Sequence, residues 1–414
     1  MTVKETNIFD LLYDKWYFDI NKPIRLFEAF SGIGTQAMAL KRLGYQVDHI
    51  GISEIDKHAL KSYYAIHGEV KNYGGIGSFE RMPKDIDICS WSFPCQDISL
   101  AGKQRGMVDG SRSNYGYVFL DTIENTPYEE RPKVLLMENV KALLSQTFSE
   151  DWKEINLRLE RLGYKNYAES LIATDFGVPQ TRDRVFIVSI KGEYSYTFPK
   201  PFKLQKKLKD YLEDEVDEKY FLSDKQIKRI TESTFTQAAK RIHKSDGDGV
   251  YIDRPHQKRG VVQKDKIQTI KTSANDIGVV VEYKLFDYMS SEKFRSELGN
   301  EIAPTIKTRN HLAVAVKDTE NYLESNVLGS IDNPLRIRKL TPLEAWRLMG
   351  IDDEDFYKAK ASGVSDSQLY KQAGNAIVVD VLYYIFKQFI KGERKWNEKN
   401  NTCKQYKLFK NIKR

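Results

Sequence analysis

The chain is poor in sulfur, with three cysteines, Cys89, Cys95 and Cys403, among 414 residues. The count is odd and the spacings match no metal-ligand pattern, so neither a disulfide framework nor a metal site is expected, and a reducing, cytoplasmic setting follows. Long apolar runs are missing as well. Nothing approaches the roughly eighteen consecutive apolar residues of a membrane helix, and Met1-Thr2-Val3-Lys4-Glu5 has no signal-peptide character, so a soluble chain with no membrane partner is expected. Neither sign of charge dominates: 65 Lys and Arg stand against 58 Asp and Glu, a net +7. That balance permits a polyanionic partner without requiring one. The length allows two or three domains, or one large α/β domain with an insertion.

The first half alternates short apolar runs with helical patterns, the rhythm of a βαβ series. Residues 24–30 read as a first strand, Ser31-Gly32-Ile33-Gly34 as its turn, and Thr35 to Leu43 as a helix ended by Gly44. Tyr45 to Ile52 reads as a second strand, with Glu54 at its tip, where a carboxylate accepts hydrogen bonds from a ribose diol. A single Gly-x-Gly with no third glycine favours a compact adenosyl ligand, S-adenosylmethionine (SAM), over a pyrophosphate-bearing dinucleotide. A glycine turn alone is weak evidence, since such turns join strands to helices in many folds.

Two further strand ends carry reactive groups. Cys95, in Ser92-Phe93-Pro94-Cys95-Gln96, follows the apolar run 86–91. Pro94 removes a backbone donor and holds Phe93 extended, which ends the strand and turns the thiol into the following loop. A lone cysteine is as often a small core residue as a nucleophile. Glu138 lies at the end of a second apolar run, Leu135 to Val140, and places an acid beside the thiol. Arg182 and Arg184, two apart before the strand 185–190, are expected to project to one side as paired guanidinium forks. The alternative is a solvated edge with ion pairs to Asp183 or Asp175.

In order along the chain stand Phe30-Ser31-Gly32-Ile33-Gly34, Pro94-Cys95-Gln96, Glu138-Asn139-Val140, Gln180-x-Arg182-x-Arg184, Arg338-x-Leu340-Thr341-Pro342-x-Glu344 and Gln372-x-Gly374-Asn375. This set resembles the cytosine carbon-5 DNA methyltransferases, bacterial or phage and of restriction-modification type, over about residues 24 to 390. The resemblance implies a Rossmann-like, SAM-dependent α/β domain with a smaller, mixed target-recognition domain. Its parts would be an N-terminal extension (1–23), a catalytic and cofactor-binding domain (24–200), a recognition domain (201–335), C-terminal motifs that complete the catalytic domain (336–390) and a basic tail (391–414). It implies that Cys95 adds to carbon-6 of cytosine, that Glu138 hydrogen-bonds nitrogen-3, that Arg184 contacts the cytosine carbonyl and that Arg182 holds phosphate or Glu138. Phe30, Gly32, Ile33, Gly34, Glu54, Ile55, Ile76, Pro94 and Asn375 would form the cofactor side. The glycine-spaced stretch after Cys95 would close over DNA, with Gln96 filling the vacated stack and Ser99, Lys103, Arg105 and Arg112 meeting the duplex.

One position departs from the family pattern. Where an aspartate usually accepts from the adenine amino group, this chain has Gly75 in Tyr73-Gly74-Gly75-Ile76-Gly77-Ser78; Ser78, a backbone carbonyl or Asp87 would have to substitute. Residues 200 to 330 lose the βαβ rhythm. Thr269-Ile270-Lys271-Thr272 is echoed there by Thr305-Ile306-Lys307-Thr308, and the resemblance sets one such Thr-Ile pair beside the target base, with Arg254 and Arg309 reading bases or gripping phosphates. Thr341 is expected to cap, and Glu344 to complete the capping box of, a short helix ending at Gly350. Double-stranded DNA is the expected partner of a monomer, and a cognate restriction endonuclease is a further partner of such enzymes. Two other readings stand beside this one: an RNA (tRNA) methyltransferase of the same fold, and a DNA-binding regulator without turnover, against which the intact Cys95, Glu138 and Arg184 argue.

Overall fold

The computed structural model describes residues 14–94, 114–223, 248–251, 262–272, 277–282, 328–330 and 333–390. Its centre is a six-stranded sheet. In chain order the elements are β1 (Ile24–Ala29), α1 (Thr35–Arg42), β2 (Val47–Ser53), α2 (Lys57–His67), β3 (Ile88–Trp91), α3 (Tyr115–Glu124), β4 (Val134–Val140), α4 (Ser149–Arg161), β5 (Tyr164–Ile172) and β6 (Asp183–Lys191). The sheet order is β2-β1-β3-β4-β6-β5. β1 pairs in parallel with both β2 and β3, and β3 with β4, whereas β6 runs antiparallel to β4 and to β5. The chain leaves β1 towards β2 on one side and returns to β3 on the other. That reversal opens a crevice at the carboxyl ends of the strands, where ligands of open α/β sheets bind.

The strands read as continuous apolar runs because both sheet faces are covered. Leu26, Ile88 and Leu136 enter one core with Met38 of α1, while Phe27, Cys89, Leu135 and Met137 enter the other with Phe119 of α3 and Leu159 of α4. Their alternation is the two-residue period of a strand. β1 stops at Ala29, one residue earlier than the apolar run suggests, because Phe30 takes a left-handed φ of 56°. β6 begins at Asp183, two residues before its apolar run.

Beyond residue 248 a second sheet contains β7 (Gly249–Tyr251), β8 (Val262–Gln263), β9 (Ile277–Glu282), β10 (Leu328–Ser330) and β11 (Asn333–Lys339), in the order β10-β11-β9-β7-β8. The chain then returns through α5 (Pro342–Arg347), α6 (Asp353–Ala361), α7 (Asp366–Asn375) and α8 (Val379–Lys387). The capping box at α5 is present: Thr341 Oγ1 accepts from Glu344 N at 3.2 Å, and Glu344 Oε2 accepts from Thr341 N at 2.8 Å. α8 packs on α1, so the last helices complete the layer begun by the first. Among the described residues no helix is long and apolar enough to cross a membrane.

Candidate active site

One cavity of about 810 Å³ lies at the switch point. Its wall brings together residues up to 347 positions apart: Phe30, Gly32 and Ile33 after β1, Glu54 and Ile55 after β2, Ile76, Pro94 after β3, Glu138 of β4, Arg182, Arg184, Asn375 and Ile377. Gly34 is not in that wall. It stands at φ 77°, and a Cβ built on it would come within 2.4 Å of His67 Nε2, so a close approach from below the turn requires the glycine. Thr269 is also outside the wall; its hydroxyl donates to the Thr181 carbonyl at 3.1 Å. Cys95, Gln96, Ser99, Lys103, Arg105, Arg112, Arg254, Thr305 and Arg309 lie outside the described residues.

The end of the cavity beside the glycine turn is held by Glu54. Its carboxylate accepts from Gly32 N at 2.9 Å and from Ile55 N and Asp56 N at 2.8 Å each, and so ties the glycine turn to the end of β2. Asp56 caps α2 by accepting from His58 N and also takes Lys371 Nζ at 2.7 Å. Burial works to raise the Asp56 carboxyl, but Lys371 and the α2 amides outweigh it and hold the carboxyl below its ordinary range. The residues fit SAM. Ser31 Oγ is buried in the wall without a hydrogen-bond partner among the described residues, and Ile55 presents an apolar side chain 76% exposed. Glu54, Asp56 and Lys371 offer charges of both signs to a ligand that carries both a cation and a carboxylate.

At the other end, Ser92-Phe93-Pro94 is stapled to β4: Glu138 N donates to Ser92 Oγ at 3.0 Å, and Asn139 Nδ2 donates to the Phe93 carbonyl. The described chain thus reaches the residue before Cys95 against the strand end that carries Glu138. Arg184 sits opposite Val140 in the β4–β6 ladder, diagonal to Glu138 on the same face. Its Nε reaches Glu138 Oε1 at 3.1 Å.

The two arginines do not act as one pair of forks. Arg184 takes Glu138, while Arg182 donates to the carbonyls of Ile270, Gly374 and Ala376 at 3.0–3.1 Å. The reason is position: Arg182 precedes β6, where the returning segments lie, whereas Arg184 is already in the ladder. Gln180 completes the stitching, with Nε2 donating to the Leu348 carbonyl and Oε1 accepting from Ile270 N. Gly374 sits against this seam, and a Cβ on it would lie 2.3 Å from the Lys271 carbonyl carbon and 2.4 Å from Thr272 N. Backbone cannot yield as a side chain can, so Gly374→Ala is expected to cost roughly 1–3 kcal/mol of stability. Equal melting temperatures for this variant and the wild type would show that the seam can open without loss.

Asp87 cannot stand in for the missing adenine-side carboxylate. It lies at the entry to β3, the opposite end from the cavity, and pairs with Arg25 and Lys133. Ser78 and residues 74–77 do line the cavity.

Sequence reading missed a buried polar cluster beneath the glycine turn. Glu28 of β1 is fully buried and accepts from Tyr63 OH at 2.6 Å; the same hydroxyl lies 2.9 Å from His49 Nδ1. His67 Nε2 lies 2.9 Å from the Ile33 carbonyl. The available signals were an acid inside an apolar strand and a Tyr-His pair four apart on one helix face. Burial pushes the Glu28 carboxyl up to about 7, against the Tyr63 hydrogen bond. Burial, with Lys41 second, pushes His49 down to about 4 and His67 down to about 3.

Because the folded Glu28 carboxyl titrates above its ordinary 4.5, its stabilising contribution is complete below pH 4.5 and is lost as pH rises through about 7. Relative to Glu28→Gln, the wild type is therefore expected to lose stability between pH 4.5 and 7.5. Denaturant titrations of both proteins across that range check the sign, and a difference that stays flat would contradict it. The two histidines act oppositely, since stability that depends on their neutrality falls as pH drops below 6.5.

Comparison with known proteins agrees with this geometry. The profile of the C-5 cytosine-specific DNA methylases matches residues 24–391. The type II methyltransferase M2.ScrFI of Lactococcus lactis subsp. cremoris is 30% identical, covering 89% of this chain and 100% of its own length. The orphan methyltransferase M.SPBetaI of Bacillus phage SPbeta is 28% identical over 89% of this chain and 97% of its own. In fold, the chain is similar to the Entamoeba histolytica methyltransferase EhMeth, with a TM-score of 0.57 at 16% identity, covering 89% of this chain and 98% of the other. It is likewise similar to the S. pombe Dnmt2 methyltransferase, with a TM-score of 0.56 at 17% identity, covering 88% and 98%. With its cavity at the switch point of a SAM-dependent methyltransferase fold and a family match over nearly its whole length, the chain belongs to the C-5 cytosine-specific DNA methylases.

Proposed function

We propose that the protein is a sequence-specific DNA (cytosine-5-)-methyltransferase that turns its target cytosine out of the duplex and activates it covalently through Cys95. The observation that carries this reading is the continuity of one cavity from Glu54 and the glycine turn to Pro94, Glu138 and Arg184. Two reactants held in one enclosure meet in a geometry that removes much of the entropic barrier.

Cytosine carbon-5 is a poor nucleophile. Addition of the Cys95 thiolate to carbon-6 makes the ring an enamine, with negative charge developing towards nitrogen-3. Glu138 hydrogen-bonds that nitrogen, and Arg184, already on Glu138 Oε1, orients the carboxyl and faces the base carbonyl. Bound SAM supplies an electrophilic methyl group on a sulfonium. Carbon-5 takes the methyl, S-adenosylhomocysteine departs, the carbon-5 proton leaves to a base, and the carbon-6 to sulfur bond breaks to restore the thiolate. A stacked base cannot reach this cavity, so extrusion is required, at a cost of a few kcal/mol recovered inside. Arg182 serves the site as a link, holding residues 270, 374 and 376 together.

In this reading residues 24–200 and 336–390 form the catalytic domain, and 201–335 the recognition domain. Gln96, Ser99, Lys103, Arg105, Arg112, Arg254, Thr269, Thr305 and Arg309 meet the DNA, and the enzyme acts as a cytoplasmic monomer, with a cognate restriction endonuclease as its proposed companion. The experiment is transfer of labelled methyl from SAM to duplex DNA and to tRNA, followed by bisulfite sequencing. Label at cytosine within one recurrent DNA sequence is expected. Label on tRNA alone would overturn the choice of substrate.

A further inference from the structure

Beneath the glycine turn, on the side away from the cavity, His67 holds a main-chain atom of the cofactor wall. We propose that His67 is a positioning residue for SAM binding, acting through the Ile33 carbonyl, kept in its donor form by Lys41 and held in place by the Tyr63 ring. A carbonyl can only accept, so His67 Nε2, 2.9 Å from Ile33 O, carries the hydrogen. His67 Nδ1 is then an acceptor, and it faces Lys41 Nζ, a pure donor, at 3.2 Å. Both neighbours therefore select the same neutral tautomer.

The fit is tight on the remaining sides. The Tyr63 ring lies 4.6 Å from the imidazole, centroid to centroid, and is itself anchored by its hydroxyl on Glu28 Oε2. Gly34 leaves no room for a Cβ above Nε2. The turn is thereby held from both sides: by Glu54 on Gly32 N from the cavity side and by His67 on Ile33 O from below. Ser31, Gly32 and Ile33 line the cavity, whereas His67, Tyr63 and Lys41 do not. Loss of the lower hold would leave the cofactor's contacts chemically intact but unplaced, and the cost would appear in SAM affinity and not in the chemical step.

The test measures SAM binding to the full chain by calorimetry, with steady-state kinetics on DNA and a thermal melt alongside. His67→Leu is expected to raise the Kd and KM for SAM about tenfold, the scale of one lost hydrogen bond. kcat at saturating SAM should stay within about twofold. His67→Gln, whose side-chain amide can still donate to Ile33 O, should recover most of the affinity. Lys41→Met, at a surface position, should weaken SAM binding about threefold, since the tautomer loses its second selector. A His67→Leu protein that melts normally and binds SAM like the wild type overturns the proposal. So does His67→Gln behaving no better than His67→Leu, or a loss confined to kcat. If His67→Leu does not fold, Lys41→Met decides, and an unchanged Kd there rejects the role. The inference rests on SAM as cofactor but not on covalent catalysis: absence of wild-type binding would fault the cofactor, whereas equal wild-type and variant affinities fault His67 alone.

Discussion

Cys95→Ser is expected to abolish methyl transfer, by on the order of a thousandfold or more, while DNA binding stays within a few-fold of the wild type. A serine hydroxyl is far harder to ionise at neutral pH than a thiol, so the carbon-6 adduct does not form and carbon-5 stays unreactive. Nothing else in the site needs to change. Ser92-Phe93-Pro94 is fixed to the end of β4 by Glu138 N and Asn139 Nδ2, contacts made by Ser92 and Phe93 and not by the substituted residue. Gel shifts on cognate duplex and labelled-methyl counting separate the two properties. Substantial turnover in the serine variant would remove Cys95 from the reaction.

The largest stability effect is expected at Glu344. Its carboxylate, fully buried, accepts from Arg338 Nη1 and Nη2 at 2.7 Å each and from Thr341 N and Glu213 N at 2.8 Å each, and so joins β11, the start of α5 and the chain near residue 213. Glu344→Ala strands a buried guanidinium and two amides, at a cost of about 3–5 kcal/mol. That is a large part of the 5–15 kcal/mol by which ordinary domains are stable. By contrast Glu124, which meets Arg158 at 2.8 Å with its own side chain 61% exposed, should lose at most about 1 kcal/mol on truncation. Urea unfolding of the two variants discriminates a buried hub from a surface pair, and equal midpoints would deny Glu344 its role.

The strand ends were legible in the sequence because a sheet buried on both faces writes each strand as an unbroken apolar run, and the residue at which the run breaks is the residue exposed at the crevice. Glu54, Pro94 and Glu138 are found in this way, and all three line the cavity. The capping box of α5 is equally local, since Thr341 and Glu344 lie within one helical turn. What escaped depends on partners distant in sequence. Spacing alone could not divide Arg182 from Arg184, because the carbonyls that claim Arg182 belong to residues 270, 374 and 376. Asp87 looked available until the strand direction set it at the wrong end, beside Arg25 and Lys133. For His67 the spacing from Tyr63 marked a helix face but not its partner, a main-chain oxygen 34 residues away.

Covalent activation of cytosine within this cavity is tested most directly with duplex DNA that carries 5-fluorocytosine at the target position. Fluorine cannot leave carbon-5 as a proton does, so after methyl transfer the bond from Cys95 to carbon-6 cannot be released. With SAM present, the wild type should give a denaturation-resistant protein–DNA band bearing the labelled methyl group, with the DNA attached to the peptide containing Cys95. No such band in an enzyme that methylates ordinary DNA, or attachment at another residue, would contradict addition by Cys95.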